Sequence, residues 1–300
     1  MFFMLEWHSS DADLSVLFHG AESMGSDTSP VNLFLLGGTY RIEVAVQDGI
    51  LYRYYQGGLE RFRGYGAPLA ACGYDGGKAL AVLRRDTERR GVPLSFCTFD
   101  ERQRKFFDGL CDVQWRFCAD DSDYIYKRES LAQLSGKKLH AKKNLVNRFW
   151  RLHADAEYRA VTRDNIGDVL SVAELWFAER AEAGEDADMS ELARIRMAAE
   201  HWDALGLFGG VLYAEGAPAA MTVASAVSSQ CIDVHFEKAV GVFAAEGAFA
   251  AVNQAFAASE AALPYAYVNR EEDMGVPGLR QVKEAYRPAF KLEKYYGTAE

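Results

Sequence analysis

The order of hydrophobic and polar positions alternates between strand-like and helix-like segments, which predicts an α/β (α+β) fold. From Ile232 to Lys238 apolar and polar residues alternate with a period of two, typical of a half-buried strand. From Asn165 to Ala181 the apolar residues recur at helical spacing, along Val169, Val172, Leu175 and Trp176. Ser190 is a suitable N-cap for the helix that follows.

Glycine and proline positions recur in the two halves of the chain. Gly38 and Gly210, each introducing a strand and a hairpin turn, lie 172 residues apart, and Pro93 and Pro264, each introducing a later strand, lie 171 apart. These residues are common in turns, so chance could supply part of the match. Two matching offsets favour an internal duplication.

The sequence pattern of each half predicts the same order of elements: a hairpin, a helix and a further strand. In the first half the helix Lys78 to Arg90 precedes the strand Leu94 to Phe99. In the second half the helix Ala244 to Ala261 precedes the strand Tyr265 to Val268. We therefore predict two domains, each a mixed sheet flanked by helices. They cover residues 1–153 and 154–300, with the boundary near Leu152 to Tyr158.

Composition narrows the class of protein. The 300 residues are 49% hydrophobic, enough for proper cores, and no apolar run approaches the roughly 20 residues needed to span a bilayer. The five cysteines form no C-x-x-C pair, and no H-E-x-x-H sequence occurs. We expect a cytoplasmic protein with reduced thiols, no transmembrane segment and no metal centre.

One basic segment stands out in a chain of net charge -10. Ser130 to Ala154 contains no Asp or Glu but includes Lys137, Lys138, His140, Lys142 and Lys143. On a helix from Lys137 to Leu152, several ammonium groups near the helix start would attract the phosphate of a nucleotide, coenzyme A or tRNA. The alternative is an interdomain helix whose lysines pair with carboxylates.

A second candidate region runs from Tyr265 to Tyr286. Its strand is followed at once by Asn269, Arg270, Glu271, Glu272 and Asp273. A helix can then begin at Pro277, because a first-turn position needs no amide proton. That helix carries an apolar stripe of Leu279, Val282 and Tyr286 and a basic stripe of Arg280, Lys283 and Arg287. Such a charged strand end suits an active-site mouth, although a salt-bridged connection would share the pattern.

The strand Ile232 to Lys238 is the candidate catalytic edge. Its alternation predicts that Asp233, His235 and Glu237 share one face. Acylation of an amine needs a base to remove a proton, and Glu237 or His235 could serve. The alternative is a structural ion pair, such as Glu237 with Lys238 or Arg270.

Several segments together resemble a known family. They are Asp123 to Tyr126, Leu134 to Asn144, Asn147 to Phe149, His235 to Ala239, and Asn269 to Tyr286. In this order they resemble an uncharacterised bacterial family related to the C-terminal domain of phosphatidylglycerol lysyltransferases. The resemblance, from about Asn32 to Tyr296, implies a tandem GNAT-like fold. It also implies kinship with the Fem-type enzymes, which transfer amino acids from aminoacyl-tRNA.

The resemblance implies an acyl- or aminoacyl-transferase whose donor is aminoacyl-tRNA or a coenzyme A thioester. The acceptor would be an amine or hydroxyl of a small molecule, peptide or lipid. The loop Ala239 to Gly247 lacks the Q/R-x-x-G-x-G/A motif of acetyl-CoA enzymes, and Gly73 to Lys78 offers only a glycine-bearing helix start. The alternatives are an ordinary acetyltransferase and a non-catalytic binding protein for a nucleotide, RNA or protein.

In GNAT folds two central strands part, and the acyl group lies in the gap. The helix Ala244 to Ala261 predicts that the strands before and after it are parallel neighbours. We expect this arrangement to bring the catalytic candidates Glu237, His235, Asn269 and Arg270 together. The expected substrate or phosphate ligands are Lys137, Lys138, His140, Lys142, Lys143, Lys238, Glu271, Asp273, Arg280 and Lys283.

Overall fold

The computed structural model describes residues 4–13, 17, 22–185 and 188–300, and they form two compact units. The first unit takes its described residues from Met1–Asp123, Glu272–Val276 and Lys291–Glu300. The second unit comprises Tyr124–Glu271 and Pro277–Phe290.

The strands are β1 His8–Ser9, β2 Ile42–Gln47, β3 Ile50–Gln56, β4 Arg63–Tyr65, β5 Ser95–Phe99, β6 Val113–Lys127, β7 Glu157–Ala160, β8 Phe208–Ala214, β9 Ala217–Ala226, β10 Cys231–Ala239, β11 Tyr267–Asn269 and β12 Phe290–Ala299. The helices are α1 Pro30–Leu35, α2 Gly37–Tyr40, α3 Gly76–Arg90, α4 Glu101–Asp108, α5 Arg128–Gln133, α6 His140–Leu152, α7 Ile166–Glu182, α8 Met189–Glu200, α9 Gly241–Glu246, α10 Ala248–Ala258 and α11 Pro277–Ala285. A 3-10 turn, Lys137–Leu139, precedes α6.

The first unit is a mixed sheet in the order β1-β2-β3-β4-β5-β12. Its neighbouring strands are antiparallel except β4 and β5, which are parallel and connected through α3. The aromatic residues Tyr65, Phe96, Phe99 and Phe107 are buried in its core. Burial of large aromatic surface is the main stabilising contribution in such a core.

The second unit is a mixed sheet in which β7, β8, β9 and β10 pair antiparallel in that order. β11 lies parallel to β10 and antiparallel to the last residues of β6. α10 packs on one face of this sheet with α5 and α6, whereas α7 packs on β9 and β10. The predicted mixed α/β class is confirmed. Among the described residues, no helix is both long and apolar enough to span a bilayer.

The compact units divide the chain differently from the predicted boundary near Leu152 to Tyr158. The basic helix α6, expected at the end of the first domain, packs against α9 and α10 in the second unit. Phe149 of α6 lies in the same apolar cluster as Ala251 and Val252 of α10. Both units contain a parallel strand pair joined through a helix, and the internal duplication stays a prediction.

Three local predictions are corrected. The helix expected from Ala244 to Ala261 is broken at Gly247, whose φ of 113° ends α9 and begins α10. Asp188, not Ser190, caps α8, because its carboxylate accepts the Ser190 amide proton at 2.9 Å. On α11 one residue of each stripe departs from the pattern: Lys283 is buried whereas Val282 is exposed.

Candidate active site

The parallel strands β10 and β11 part within the second unit. Their pairing begins at Cys231 and Tyr267 and ends at Asp233 and Asn269, although β10 continues to Ala239. The next amide beyond β11, that of Arg270, donates to a carbonyl of β6 instead. The prediction that these strands are parallel neighbours is confirmed, and the hydrogen bonding between them stops partway along β10.

A β-bulge at His235 changes which side chains share a face of β10. Val234 pairs with Ala224, but the next pair is Phe236 with Val223, so His235 is an extra residue. Because paired residues of antiparallel strands lie on the same face, Glu237 joins Val234 instead of Asp233. The prediction that Asp233, His235 and Glu237 share one face is therefore wrong.

Glu237 lies on the α10 face, in a buried ion pair with Arg270. The Arg270 Nη2 and the Glu237 Oε2 are 2.5 Å apart, and the two side chains are 6% and 5% exposed. Asn253 of α10 donates from Nδ2 to the same carboxylate at 3.1 Å, and Thr222 donates from Oγ1 at 3.3 Å. Charge-assisted hydrogen bonds of this kind fix a carboxylate in one orientation.

Arg270 is enclosed by aromatic rings. Its guanidinium carbon lies 4.9 Å from the ring centroid of Tyr286, 5.6 Å from that of Phe249 and 5.9 Å from that of Tyr126. Burial lowers the pKa of Arg270, but the charge and hydrogen bond of Glu237 together with Tyr286 and Tyr126 outweigh burial and raise the pKa overall. Within the described chain, Arg270 Nη1 is buried and makes no hydrogen bond. The pair therefore retains one buried donor.

Lys142 brings the basic helix α6 to this pair. Its Nζ lies 4.4 Å from the ring centroid of Tyr286, the ring that Arg270 also contacts. Burial, and then the charge of Arg270, lower the pKa of Lys142. Burial raises the pKa of Tyr286 to about 12, against an opposing effect of Arg270. The sequence predicted Lys142 and Arg270 separately, and the structure joins them at Tyr286.

The Lys283 side chain also contacts this region, by binding the main chain of Arg270. Its Nζ donates to the carbonyl oxygen of Arg270 at 2.5 Å, and the Tyr126 hydroxyl donates to the Lys283 carbonyl at 2.8 Å. Lys283 therefore fixes the backbone that carries the guanidinium. This contact explains why a lysine is buried on α11.

His235 lies on the other face of the sheet, away from Glu237. Its Nε2 is 2.8 Å from Ser225 Oγ, and its Nδ1 faces Asp233 at 3.7 Å and Glu271 at 3.5 Å. Asn269 is on this face too, and its Oδ1 accepts the Glu271 amide proton at 2.6 Å. Asn269 therefore shapes the turn after β11. His235 and Asn269 therefore lie on the opposite side of the sheet from the Glu237–Arg270 pair.

Three further predicted ligands lie elsewhere. Lys238 points to the face opposite Glu237, where its Nζ is 2.8 Å from Glu191 and 4.0 Å from the ring centroid of Trp176. Asp273 belongs to the first unit, and its carboxylate accepts the Gly275 amide proton at 2.9 Å. Arg280 is partly exposed on α11.

The other basic residues form an exposed surface at the start of α6. Lys137, Lys138 and Lys143 are exposed, and His140 Nδ1 is 3.3 Å from Asn144 Nδ2. We call Lys137, Lys138 and Lys143 the basic surface. In the first unit, the helix start at Gly76 is already capped, because Asp75 accepts the Lys78 amide proton. A carboxylate there competes with phosphate.

Asn253 and Thr222, which both donate to Glu237, are not among the residues predicted from the sequence. Asn253 carried a usable signal, since it and Gln254 are the polar residues of an otherwise apolar α10. A polar side chain on the buried face of a helix requires a partner. Asn253 donates to Glu237 while its Oδ1 is buried and accepts no hydrogen bond from the described residues. Thr222 lies in a uniformly apolar stretch of β9 and gave no such signal.

Comparison with protein families gives one match over nearly the whole chain. The family model described as phosphatidylglycerol lysyltransferase, C-terminal, matches residues 19–297. No curated protein matches the sequence significantly.

Solved structures include one similar in sequence and others similar in fold. A conserved protein of unknown function from Bacteroides thetaiotaomicron is 28% identical with a TM-score of 0.89, covering 99% of this chain and 100% of its own. The C-terminal domain of a putative lysylphosphatidylglycerol synthetase from Agrobacterium fabrum is 11% identical with a TM-score of 0.65, covering 97% and 93%. FemX is 8% identical with a TM-score of 0.61, covering 99% and 98%. The last two show a shared fold.

Proposed function

Because this chain belongs to the family of phosphatidylglycerol lysyltransferase C-terminal domains, and so to the acyl- and aminoacyl-transferase class, we propose that it transfers an aminoacyl group from aminoacyl-tRNA to an amine or hydroxyl. The reaction takes place at the Glu237–Arg270 pair. The acceptor is a small molecule, peptide or lipid. The sequence resemblance and the family match both support this class.

The observation that carries the proposal is a pair of unused polar atoms around one carboxylate. Arg270 Nη1 and Asn253 Oδ1 are both buried without a hydrogen-bond partner among the described residues, and both side chains bond Glu237. Buried polar atoms without partners are costly, and two of them beside one carboxylate favour a bound polar ligand there. An aminoacyl group supplies both partners: its carbonyl accepts from Arg270, and its ammonium donates to Asn253. An acetyl group supplies only the first.

Transfer then needs a proton acceptor and a group that stabilises an oxyanion. The acceptor nitrogen or oxygen attacks the donor carbonyl carbon, and its proton passes to Glu237. Arg270 Nη1 holds the oxygen that becomes negative in the tetrahedral intermediate. The ester bond to the tRNA ribose breaks, and the leaving oxygen takes the proton from Glu237. Glu237 and Arg270 return to their starting charges.

Replacing both members of the pair separates a catalytic role from a structural one. Glu237→Gln alone leaves the Arg270 charge buried, so we expect a loss of about 3–5 kcal/mol in the free energy of unfolding. The double variant Glu237→Gln/Arg270→Met removes both charges and should recover most of that stability. We expect it to be folded and inactive in a transfer assay with labelled donor.

A structural pair gives the opposite result. In that case transfer returns together with stability in the double variant, which would overturn the proposed site. Glu174→Gln is the matched control, because Glu174 pairs with Arg196 at 2.8 Å with both side chains about half exposed. This control should keep wild-type stability and transfer. Parallel assays with aminoacyl-tRNAs and acetyl-CoA identify the donor, and transfer from acetyl-CoA alone would refute the aminoacyl assignment.

We propose that the basic surface binds the tRNA backbone. Reversing Lys137 and Lys138 to Glu should weaken tRNA binding without unfolding, because both side chains are exposed. Wild-type binding should fall as salt rises, since each phosphate contact releases counterions, and the slope should be smaller in the variant. The control reverses Lys78 and Arg84 on α3, which are also exposed. Equal tRNA binding by wild type and the Lys137/Lys138 variant would refute the assignment.

A further inference from the structure

Asp233, His235 and Glu271 form a compact cluster on the sheet face opposite Glu237. One ligand atom from each residue lies within 4.8 Å of those of the other two. The Asp233 and His235 side chains are 0% and 1% exposed, and that of Glu271 is 25% exposed. Two carboxylates and an imidazole nitrogen are a donor set typical of zinc and related divalent metals.

The distances within the cluster fit a metal ion better than direct hydrogen bonds. His235 Nδ1 lies 3.7 Å from Asp233 Oδ2 and 3.5 Å from Glu271 Oε1. Hydrogen bonds of this type are about 2.7–3.2 Å long. Ligands about 2.1 Å from a tetrahedral zinc ion are about 3.4 Å from one another. Both separations are therefore close to the edge of a zinc tetrahedron.

The imidazole is oriented for this role by its other nitrogen. His235 Nε2 bonds Ser225 Oγ at 2.8 Å, which leaves Nδ1 facing the two carboxylates. Histidine ligands of metals commonly use their second nitrogen in this way, because that contact fixes the ring. Asp233 and His235 are two residues apart on β10 and lie on the same side of the sheet, whereas the bulge turns Glu237 to the other side. Glu271 follows β11 by two residues and has a left-handed φ of 57°.

We propose that Asp233, His235 and Glu271 bind one divalent transition-metal ion, with zinc preferred and water as the fourth ligand. The absence of an H-E-x-x-H sequence predicted no metal centre, but these ligands come from a strand and a turn. The ion links β10 to the segment after β11 where the two strands part. Binding of the ion at this position does not depend on the proposed transfer reaction.

Metal content and metal binding test the site directly. Untagged protein should contain about one zinc equivalent by elemental analysis. After chelation it should bind one Co²⁺ with a visible tetrahedral absorption spectrum, and Zn²⁺ should raise its melting temperature. Asp233→Asn, His235→Gln and Glu271→Gln should each weaken binding more than tenfold. Ser225→Ala, which only releases the ring, should weaken it by about tenfold.

His153→Gln is the matched control, since His153 also lies between two carboxylates. Its nitrogens are 2.8 Å from Glu246 and 3.2 Å from Glu215, on opposite sides of the ring, so they cannot chelate one ion. This variant should bind Co²⁺ as wild type does. Circular dichroism confirms folding, and Glu271→Gln, the least buried position, remains usable if the others unfold. Folded wild type that binds no metal, or folded Glu271→Gln with unchanged affinity, would overturn the site.

Discussion

At the residue scale, the candidate site is dominated by two cations sharing one ring. Tyr286 is buried, with Arg270 at 4.9 Å and Lys142 at 4.4 Å from its ring centroid. The negative face of an aromatic ring attracts cations, and burial strengthens that attraction. Among the residues that the structure describes, Glu237 offsets this charge through a direct ion pair with Arg270. The two cations therefore suit a donor whose carbonyl oxygen becomes negative during transfer.

Lys142→Met should raise stability and weaken donor binding. Burial lowers the pKa of Lys142, so its charged form is less stable in the folded protein than in the unfolded chain. Below that lowered pKa, removing the charge stabilises the fold, and the gain shrinks as pH rises toward 10.5, the ordinary value. Loss of a charge-assisted contact of about 1.5 kcal/mol should weaken donor binding about tenfold.

Lys143→Met is the control for this prediction, because Lys143 is the exposed neighbour on the same helix. Thermal unfolding between pH 6 and 10 and donor binding by titration provide the measurements. A Lys142→Met protein less stable than Lys143→Met at neutral pH would contradict the assignment of an unfavourable buried charge.

The sequence predicted the pairing of Glu237 and Arg270 but not the side of the sheet on which it lies. Proximity followed from the crossover between parallel strands, which depends on topology. The face of the sheet on which Glu237 lies depends on one extra residue at His235, and a pattern of strict alternation does not reveal such a bulge. Asn253 shows the complementary case: a polar residue on the buried face of a mostly apolar helix predicts a polar partner, and that partner is Glu237.

At the element scale, the junction of α9 and α10 is determined by a close approach to α6. Gly247 has a φ of 113°, and a Cβ atom there would lie 2.7 Å from the carbonyl oxygen of Leu145. That oxygen belongs to a helix backbone and cannot move alone. The sequence predicted one continuous helix because alanine, a strong helix former, occupies half of the positions from Ala244 to Ala261.

Gly247→Ala should lower the free energy of unfolding by about 2 kcal/mol or more, because it adds both backbone strain and a clash. Gly278→Ala on α11 is the control: nothing lies within 4 Å of its added Cβ. Because alanine is a better helix former than glycine, Gly278→Ala should leave the free energy of unfolding unchanged or raise it by up to about 1 kcal/mol. Urea unfolding measures both. Equal stability of the two variants would mean that α6 and α10 are not held at this distance.

At the scale of the whole molecule, the first unit is held together by a buried ionic cluster that joins distant parts of the chain. Lys294 of β12 contacts Asp27 and lies 3.2 Å from Asp123, while Arg53 of β3 is 3.3 Å from Asp27. Ser26 Oγ donates to Asp123 at 2.9 Å. The C-terminal strand is thus tied to the N-terminal part of the unit, which the sequence boundary near Leu152 to Tyr158 did not anticipate.

Asp27→Asn should destabilise the protein and change its response to acid. Burial raises the pKa of Asp27, but Lys294 and Arg53 outweigh burial and hold it below the ordinary 3.8. A lowered carboxyl pKa contributes stability at neutral pH that is lost as pH falls below about 4 through the folded-state pKa. Removing the charge leaves two buried cations and should cost about 3 kcal/mol at pH 7.

The variant should accordingly show a shallower loss of stability between pH 5 and pH 2 than wild type. Asp203→Asn, in an exposed pair with Arg163, is the control and should leave the profile unchanged. Urea unfolding across this pH range provides the measurement. A variant with the wild-type acid profile would show that Asp27 does not titrate as part of the cluster.

The bulge at His235 has a consequence for how related sequences are aligned. Removing one residue there would turn each later side chain of β10 to the opposite face of the sheet. Glu237 would then leave the Arg270 side, and the ammonium group of Lys238 would point toward Arg270 instead. A homologue without the bulge would therefore need its carboxylate one position away from Glu237. Alignments of this family across β10 consequently require a one-residue gap wherever the bulged residue is deleted. An ungapped alignment would match Glu237 with a homologue's residue whose side chain lies on the other face of the sheet.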